Sequence, residues 1–149
     1  MSKLRVGDAA PDFAGQMQDG STIRLADFLG RKTVILFFYP KDASPICTRE
    51  ACSFRDSYER FLNSGAEVIG VSGDSIESHQ AFAHDHHLPF PLISDADGTL
   101  RRVFGVSSVI GMLPGRATYV IDKDGIVRLI FTAQFASEAH VTRALEAVQ

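Results

Sequence analysis

The only two cysteines of the chain, Cys47 and Cys52, lie close together after an apolar run at residues 33–39 that predicts a buried strand. Pro45 predicts a helix that starts directly after Ser44. Cys47 then lies in the first helical turn, where backbone N–H groups lack acceptors and the helix dipole favours negative charge. Such a position favours the thiolate, the reactive form of cysteine. The segment therefore predicts thiol chemistry at Cys47.

The spacing of the two cysteines restricts how they can react with each other. Residues five apart on an α-helix have Cα atoms roughly 8.6 Å apart, whereas a disulfide tolerates about 4.4–6.8 Å. A bridge between Cys47 and Cys52 would therefore require the first turns of the helix to unwind. The alternative is that they never pair and that Cys52 packs as a small core side chain. The spacing alone leaves both possibilities open.

The elements around this segment predict a mixed sheet. Strands are expected at residues 33–39, 66–72, 92–93, 117–121 and 126–131, and helices at 45–62, 76–87, 99–104 and from 137 onward. Residues 13–25, with a turn at Asp19 and Gly20, predict an N-terminal β-hairpin. A βαβ unit followed by a hairpin and a closing helix indicates an α/β protein with a thioredoxin fold, helices on both faces and the N-terminal hairpin as an extension.

Composition narrows the class of protein. The chain has 149 residues, 45% of them hydrophobic, which predicts one domain over residues 1–149. Its net charge of −3 predicts no binding to nucleic acid or membranes. The N-terminal residues lack the apolar core of a secretory signal, so we expect a cytoplasmic protein. In such a reducing compartment a cysteine pair is expected to be catalytic or redox-sensing. We expect no cofactor and no metal, because the two cysteines lack the ligand number and spacing of a metal site, and His79, His84, His86 and His87 lack a coherent spacing with a third ligand type. We expect these histidines to lie on a polar surface helix.

Residues 38–56, FYPKDASPICTREACSFRD, closely resemble the active-site segment of peroxiredoxins, and of the peroxiredoxin Q or bacterioferritin comigratory protein branch in particular. Pro40, Ser44 and Cys47 match the family's proline, threonine-or-serine and cysteine positions, and Cys52 stands where many members of this branch carry the resolving cysteine. Residues 10–13 and 113–125 extend the likeness over nearly the whole chain. Two positions depart from the pattern: Ser44 replaces the commoner threonine, and Ile46 stands where many relatives have glycine.

The resemblance implies a role for each matching residue. The Cys47 thiolate would attack the peroxide, and Arg116 would stabilise the thiolate. Ser44 and the Cys47 backbone N–H would hold the peroxide oxygens. Pro40 would exclude water from the sulfur. Cys52 would convert the sulfenic acid to a disulfide. Glu50, one turn after Cys47, would orient Arg116, with a solvated surface carboxylate as the alternative.

The implied activity is a thiol peroxidase acting on hydrogen peroxide and organic hydroperoxides and recycled by thioredoxin or a similar dithiol donor. We expect a monomer. A thiol–disulfide oxidoreductase is the alternative enzyme, although the five-residue spacing disfavours it. A non-catalytic peroxide sensor would use the same atoms but would react once without turnover.

Overall fold

The computed structural model describes residues 4–106, 115–133 and 137–148. The strands are β1 (Ala14–Met17), β2 (Thr22–Arg24), β3 (Thr33–Phe38), β4 (Ala66–Ser72), β5 (Leu92–Ser94), β6 (Ala117–Ile121) and β7 (Val127–Thr132). The helices are α1 (Pro45–Asp56), α2 (Tyr58–Asn63), α3 (Ile76–His86), α4 (Thr99–Phe104) and α5 (Ser137–Val148), with a short 3-10 turn at Leu25–Asp27. Residues 113 and 114 of the family-like segment lie outside the described part of the chain.

The strands form one mixed sheet in the order β2-β1-β5-β4-β3-β6-β7. Strand β3 runs parallel to β4, and β4 runs parallel to β5, whereas β6 and β7 are antiparallel to their neighbours. This arrangement confirms the predicted thioredoxin fold. The N-terminal hairpin is confirmed too, and β1 continues the sheet by pairing with β5.

Strand β3 lies in the centre of the sheet and separates two hydrophobic clusters. Its alternate residues Ile35 and Phe37 face one cluster, which includes side chains of α1, α2, α3 and α5. Residues Leu36 and Phe38 face the other cluster, which includes α4 and the N-terminal hairpin. Since both faces of β3 are buried, its sequence is continuously apolar, as is typical of a central strand covered on both sides. The carboxyl end of this strand leads into the Cys47 segment.

The predicted helix at residues 45–62 is interrupted at Ser57, which has φ −102° and ψ 3° and separates α1 from α2. Each part is anchored by its own aromatic residue. Phe54 near the end of α1 stacks on Phe37 at 4.4 Å between ring centroids, and Phe61 of α2 lies 5.8 Å from Phe54. The apolar spacing continues across Ser57, so the sequence pattern did not reveal the break.

Helix α3 shows both a confirmed and a wrong prediction. The Ser75 hydroxyl caps it by accepting the N–H of Ser78 at 3.1 Å, and the helix ends at His86, followed by His87 in a left-handed conformation with φ 52°. We expected a polar surface helix, but His79 is fully buried. Among the described residues no helix is long and apolar enough to cross a membrane.

Candidate active site around Cys47

The start of α1 places Cys47 where the sequence predicted it. Ser44 is the N-cap residue in an extended conformation, and Pro45 is the first helical residue. The first helical hydrogen bond runs from Thr48 N–H to the Ser44 carbonyl at 2.8 Å. The N–H of Cys47, one residue earlier, therefore has no acceptor within the helix and is available to an anionic ligand. The Cys47 side chain is 1% exposed.

Arg116 brings a positive charge to the Cys47 sulfur. Its Nη2 donates to Sγ of Cys47 at 3.2 Å, and its Nη1 donates to Oε1 of Glu50 at 2.6 Å. The ladder between β3 and β6 fixes this position, because Ala117, the next residue, pairs with Phe38. Burial disfavours the guanidinium charge, but Glu50 and Cys47 outweigh that effect and raise the pKa of Arg116. The arrangement stabilises a negatively charged sulfur.

Arg101 of α4 ties together the two chain segments that carry these groups. Its guanidinium donates to the carbonyls of Gly115 at 3.1 Å and Tyr39 at 3.4 Å, and lies 5.8 Å from the ring centroid of Phe38. The first carbonyl precedes Arg116, and the second follows β3. Arg101 thus holds the end of β3 beside the start of β6. Sequence analysis missed this residue because its partners are remote in the chain and are backbone atoms.

Glu50 is fully buried, so the alternative of a solvated surface carboxylate is wrong. Burial raises the pKa of Glu50 to about 7, against the opposing attraction of Arg116. Its second oxygen, Oε2, has no hydrogen-bond partner among the described residues and lies 3.6 Å from Nδ1 of His140 on α5. His140 is also fully buried, and burial lowers its pKa to about 4. Sequence analysis did not single out His140.

A second buried network fixes the loop between β3 and α1. Asp42 accepts hydrogen bonds from the hydroxyls of Tyr39 at 2.6 Å and Ser78 at 2.8 Å. Its Oδ2 also lies 2.6 Å from Nδ1 of His79, whose Nε2 bonds the carbonyl of Ile93 at 2.9 Å. The loop is thereby attached to α3 and β5. His79 has a structural function here, which its position in a polar helix had concealed.

The remaining predicted site residues occupy the same end of the sheet. Pro40 and Ser44 are half-buried in the β3–α1 loop, and the Ser44 hydroxyl donates to the carbonyl of Lys41 at 3.0 Å. Cys52 lies on α1, half-buried and outside the hydrophobic core, so its interpretation as a core side chain is wrong. Both cysteines are free thiols. Among residues 4–106, 115–133 and 137–148, no group of three or more His, Cys, Asp or Glu residues could hold a metal ion.

The fold and a buried cysteine held by an arginine define a thioredoxin-fold protein built for thiol chemistry. The comparisons with known proteins agree. The AhpC/TSA family model matches residues 6–130. Peroxiredoxin Q, chloroplastic, from Populus jackii is 48% identical over 99% of this chain and 70% of its own length, and the protein of that name from Triticum aestivum is 49% identical over 99% and 68%.

Solved structures show the same similarity. Peroxidoxin BcpB from Mycobacterium tuberculosis superposes with a TM-score of 0.90 at 37% identity, covering 97% of this chain and 96% of that one. A bacterioferritin comigratory protein from Xanthomonas campestris, studied for alkyl peroxide reduction, gives 0.82 at 28% identity over 97% and 96%. The chain belongs to the AhpC/TSA family and, within it, to the peroxiredoxin Q group. It is a thiol-dependent peroxidase.

Proposed function

We propose that the protein reduces hydrogen peroxide and organic hydroperoxides through a sulfenic acid on Cys47, followed by an intramolecular disulfide between Cys47 and Cys52. The observation that carries the proposal is the 3.2 Å contact from Arg116 Nη2 to Cys47 Sγ at the start of a helix. The guanidinium and the free N–H groups of the first turn both favour a thiolate. A thiolate is the nucleophile needed to break the weak O–O bond.

In the first step, the Cys47 thiolate attacks one peroxide oxygen. An S–O bond forms, the O–O bond breaks, the sulfur loses two electrons, and the departing oxygen takes up a proton to leave as water or an alcohol. The Cys47 N–H, the Ser44 hydroxyl and Arg116 are the candidate donors for the charge that develops on the oxygens. Pro40, directly beside this loop, contributes no polar group and would exclude water from the sulfur.

The second step requires a change in α1. Both cysteines lie in one continuous helix, and a helical spacing of five residues gives Cα atoms roughly 8.6 Å apart, too far for a disulfide. Phe54 anchors the end of α1 by stacking on Phe37, whereas Ile46, Thr48 and Arg49 in the first turns are not buried. Unwinding therefore starts at the Ser44 end of the helix. The Cys52 thiol then attacks the Cys47 sulfur and releases water.

The resulting disulfide has to be reduced from outside the chain, and we propose thioredoxin or a similar dithiol protein as the reductant. Thiol–disulfide exchange with such a donor restores both thiols. Because the bridge lies within one chain, the cycle needs no second subunit, and we propose a monomer. The cytoplasmic location stays a prediction.

Peptide mass spectrometry after one equivalent of peroxide tests the mechanism. We expect a peptide in which Cys47 and Cys52 are linked within one chain, and continuous peroxide consumption when thioredoxin, its reductase and NADPH are supplied. The Cys47→Ser variant should lose both. The Cys52→Ser variant should oxidise Cys47 once and then stop at the sulfenic acid, which a dimedone label detects.

Three results would contradict the proposal. Peroxide breakdown that persists in the Cys47→Ser variant would exclude Cys47 as the nucleophile. A disulfide only between chains would exclude the intramolecular step. Oxidation of the two cysteines without further consumption in the complete thioredoxin system would favour a sensor over an enzyme.

A further inference from the structure

Ala43, in the loop between β3 and α1, has a positive φ of 63°. It is the third residue of the turn at residues 41–44, a position where a positive φ usually requires glycine or asparagine. A side chain with a Cβ takes this left-handed conformation at a cost in free energy that glycine avoids. The Ala43 side chain is exposed, so its own packing does not hold the backbone there. The contacts of a neighbouring residue have to do so.

The neighbour that supplies these contacts is Asp42, which is buried. Its backbone N–H donates to Oδ2 of Asp74 at 2.8 Å, and its carboxyl accepts the hydroxyls of Tyr39 at 2.6 Å and Ser78 at 2.8 Å. Nδ1 of His79 lies 2.6 Å from the same carboxyl. These partners belong to the end of β3, the segment after β4 and helix α3. Asp42 is therefore fixed through both its backbone and its side chain.

The two ring nitrogens of His79 both face acceptors. Nε2 lies 2.9 Å from the carbonyl of Ile93, which can only accept, so Nε2 carries a proton. Nδ1 faces the Asp42 carboxyl, and the hydrogen bond there requires a second proton, held by the ring or by the carboxyl. Both side chains are buried, so the loss of one leaves the other without its partner. The pair is therefore a strong anchor for residue 42.

We propose that Asp42 and His79 are positioning residues for the peroxide reaction: they hold Ala43 in its left-handed conformation, which directs Ser44 and the Cys47 N–H toward the peroxide oxygens. The proposal rests on the proposed role of Cys47 as the reacting thiolate. Ser44 follows Ala43 directly and is the N-cap residue of α1, with φ −73° and ψ 151°. A change of φ at residue 43 therefore displaces Ser44 relative to the sulfur. A displacement of about 1 Å in such a group can slow a reaction about a hundredfold.

Solution NMR of the reduced protein, labelled with ¹³C and ¹⁵N, tests whether the pair holds Ala43. The Cβ shift and the HN–Hα coupling of the assigned Ala43 residue report its φ. Asp42→Ala should move these signals toward those of a negative φ, whereas Asp42→Asn, whose amide keeps the shape and can still hydrogen-bond, should move them less. Tyr58→Phe is the matched control, because it removes another hydroxyl–carboxylate bond, 2.7 Å long, between α2 and Glu67. It should leave the Ala43 signals unchanged.

Stopped-flow measurement of sulfenic acid formation tests whether this conformation affects the reaction. We expect Asp42→Ala to react between about tenfold and about a hundredfold more slowly than wild type. Ala43→Gly added to Asp42→Ala should recover about three- to tenfold, because glycine adopts a positive φ readily. Among the described residues, His87 is the other non-glycine residue with a positive φ, and it ends α3. His87→Gly added to Asp42→Ala is the matched control and should recover nothing.

Each alternative outcome has a definite meaning. Ala43 signals that keep their wild-type values in Asp42→Ala would overturn the proposal whatever the activity. Equal recovery by Ala43→Gly and His87→Gly would show that the pair only stabilises the fold, and would overturn its positioning role. If Asp42→Ala does not fold, the same two measurements on His79→Gln decide the proposal. If the wild type consumes no peroxide but the Ala43 signals change as expected, the peroxidase mechanism fails while the pair's hold on the loop stands.

Discussion

Arg116 is the residue whose placement most strongly determines the chemistry at Cys47. It is 4% exposed, contacts the sulfur at 3.2 Å and is held in place by Glu50. Its planar guanidinium bonds both partners at once, through two different nitrogens, whereas a lysine ammonium is a single point charge on a flexible stem. The identity of residue 116 as arginine is therefore as important as its charge.

The Arg116→Lys variant tests this conclusion. Loss of one charge-assisted hydrogen bond is expected to slow the reaction of Cys47 with peroxide by between about tenfold and about a hundredfold. Stopped-flow measurement of sulfenic acid formation gives the rate. The exposed Arg102 is the control, since Arg102→Lys should react at the wild-type rate. Equal rates in Arg116→Lys and wild type would show that simultaneous bonding of Glu50 and Cys47 by the two guanidinium nitrogens is unimportant for the reaction with peroxide.

Glu50 and His140 also predict how stability depends on pH. Unfolding raises the pKa of His140 from about 4 to about 6.5, so the unfolded chain binds a proton at higher pH than the folded one. This residue therefore lowers the free energy of unfolding by up to about 3 kcal/mol as the pH falls from 6.5 to 4. Glu50 acts in the opposite direction, because its pKa of about 7 falls to about 4.5 on unfolding, and acidification through this range favours the folded state. The two contributions oppose each other in the wild type.

The Glu50→Gln variant removes one of these opposing contributions. Its free energy of unfolding should therefore fall more steeply than that of the wild type between pH 6.5 and pH 4, by up to about 3 kcal/mol. Urea denaturation at a series of pH values measures both curves. Parallel curves would show that burial does not raise the pKa of Glu50 in the folded protein.

At the scale of elements, the proposed disulfide step requires that α1 is stable enough to bury Cys47 and weak enough to release it. Its last turn is anchored by Phe54, and its first turns depend on Cys47 itself and on the Glu50 ion pair. Ile46 lies within these first turns. A glycine at this position would let the helix start unwind more easily, because glycine disfavours helix.

The Ile46→Gly variant should form the Cys47–Cys52 disulfide about two- to threefold faster after peroxide oxidation, since the helix propensity changes by roughly 0.5 kcal/mol. Quenched-flow trapping of free thiols measures this step separately from the peroxide reaction. The control is Glu59→Gly, which weakens α2 by a comparable amount and should leave the disulfide rate unchanged. A rate that does not respond to Ile46→Gly would show that unwinding is not part of the slow step.

The sequence predicted most elements because each has a strong local pattern. Strand β4 was predicted at Ala66–Ser72, as observed, and the hairpin of β1 and β2 follows from its turn at Asp19 and Gly20. The interruption at Ser57 was not predictable, since the apolar spacing continues through it. The structure places Cys47, Arg116 and Glu50 together. Arg116 and Glu50 are 66 residues apart in the chain, and the prediction that they interact came from the family resemblance and not from a local pattern.

The residues that sequence analysis missed share one property. The partners of Arg101, His79 and His140 lie on other elements, and several of these partners are backbone carbonyls with no identifying sequence signal. A histidine in a polar helix has the same sequence signal whether it is buried or exposed. Only the packing of α3 and α5 against the sheet distinguishes these two possibilities.

For the whole molecule, the centre of the sheet is buried on both faces and supports the short segment that the proposed mechanism unwinds. Strands β3 and β4 are buried on both faces, and the two hydrophobic clusters lie on either side of them. The first two turns of α1 contact Arg116 through Cys47 and Glu50, whereas the strand pairing within the sheet does not involve them. We therefore expect oxidation to change local stability at the start of α1 and not across the sheet.

Hydrogen–deuterium exchange of the reduced and oxidised proteins tests this separation. On oxidation, the amides of residues 48–52 should lose protection, because their helical hydrogen bonds break, while those of β4 (Ala66–Ser72) should keep it. The Cys52→Ser variant treated with peroxide is the control and should keep its helix. Faster exchange in β4, or no change at residues 48–52, would show that the disulfide forms in another way.

The buried bonds of Asp42 with Tyr39, Ser78 and His79 involve no residue of α1. We therefore expect these bonds to persist during the proposed unwinding of α1 and to keep the loop between β3 and α1 in place. In the proposed cycle, α1 only has to rewind after a dithiol donor has reduced the bridge, at about nanoseconds per residue. In this proposed cycle we expect rewinding to be faster than reduction by the dithiol donor, so Cys47 regains its buried position almost as soon as it is reduced.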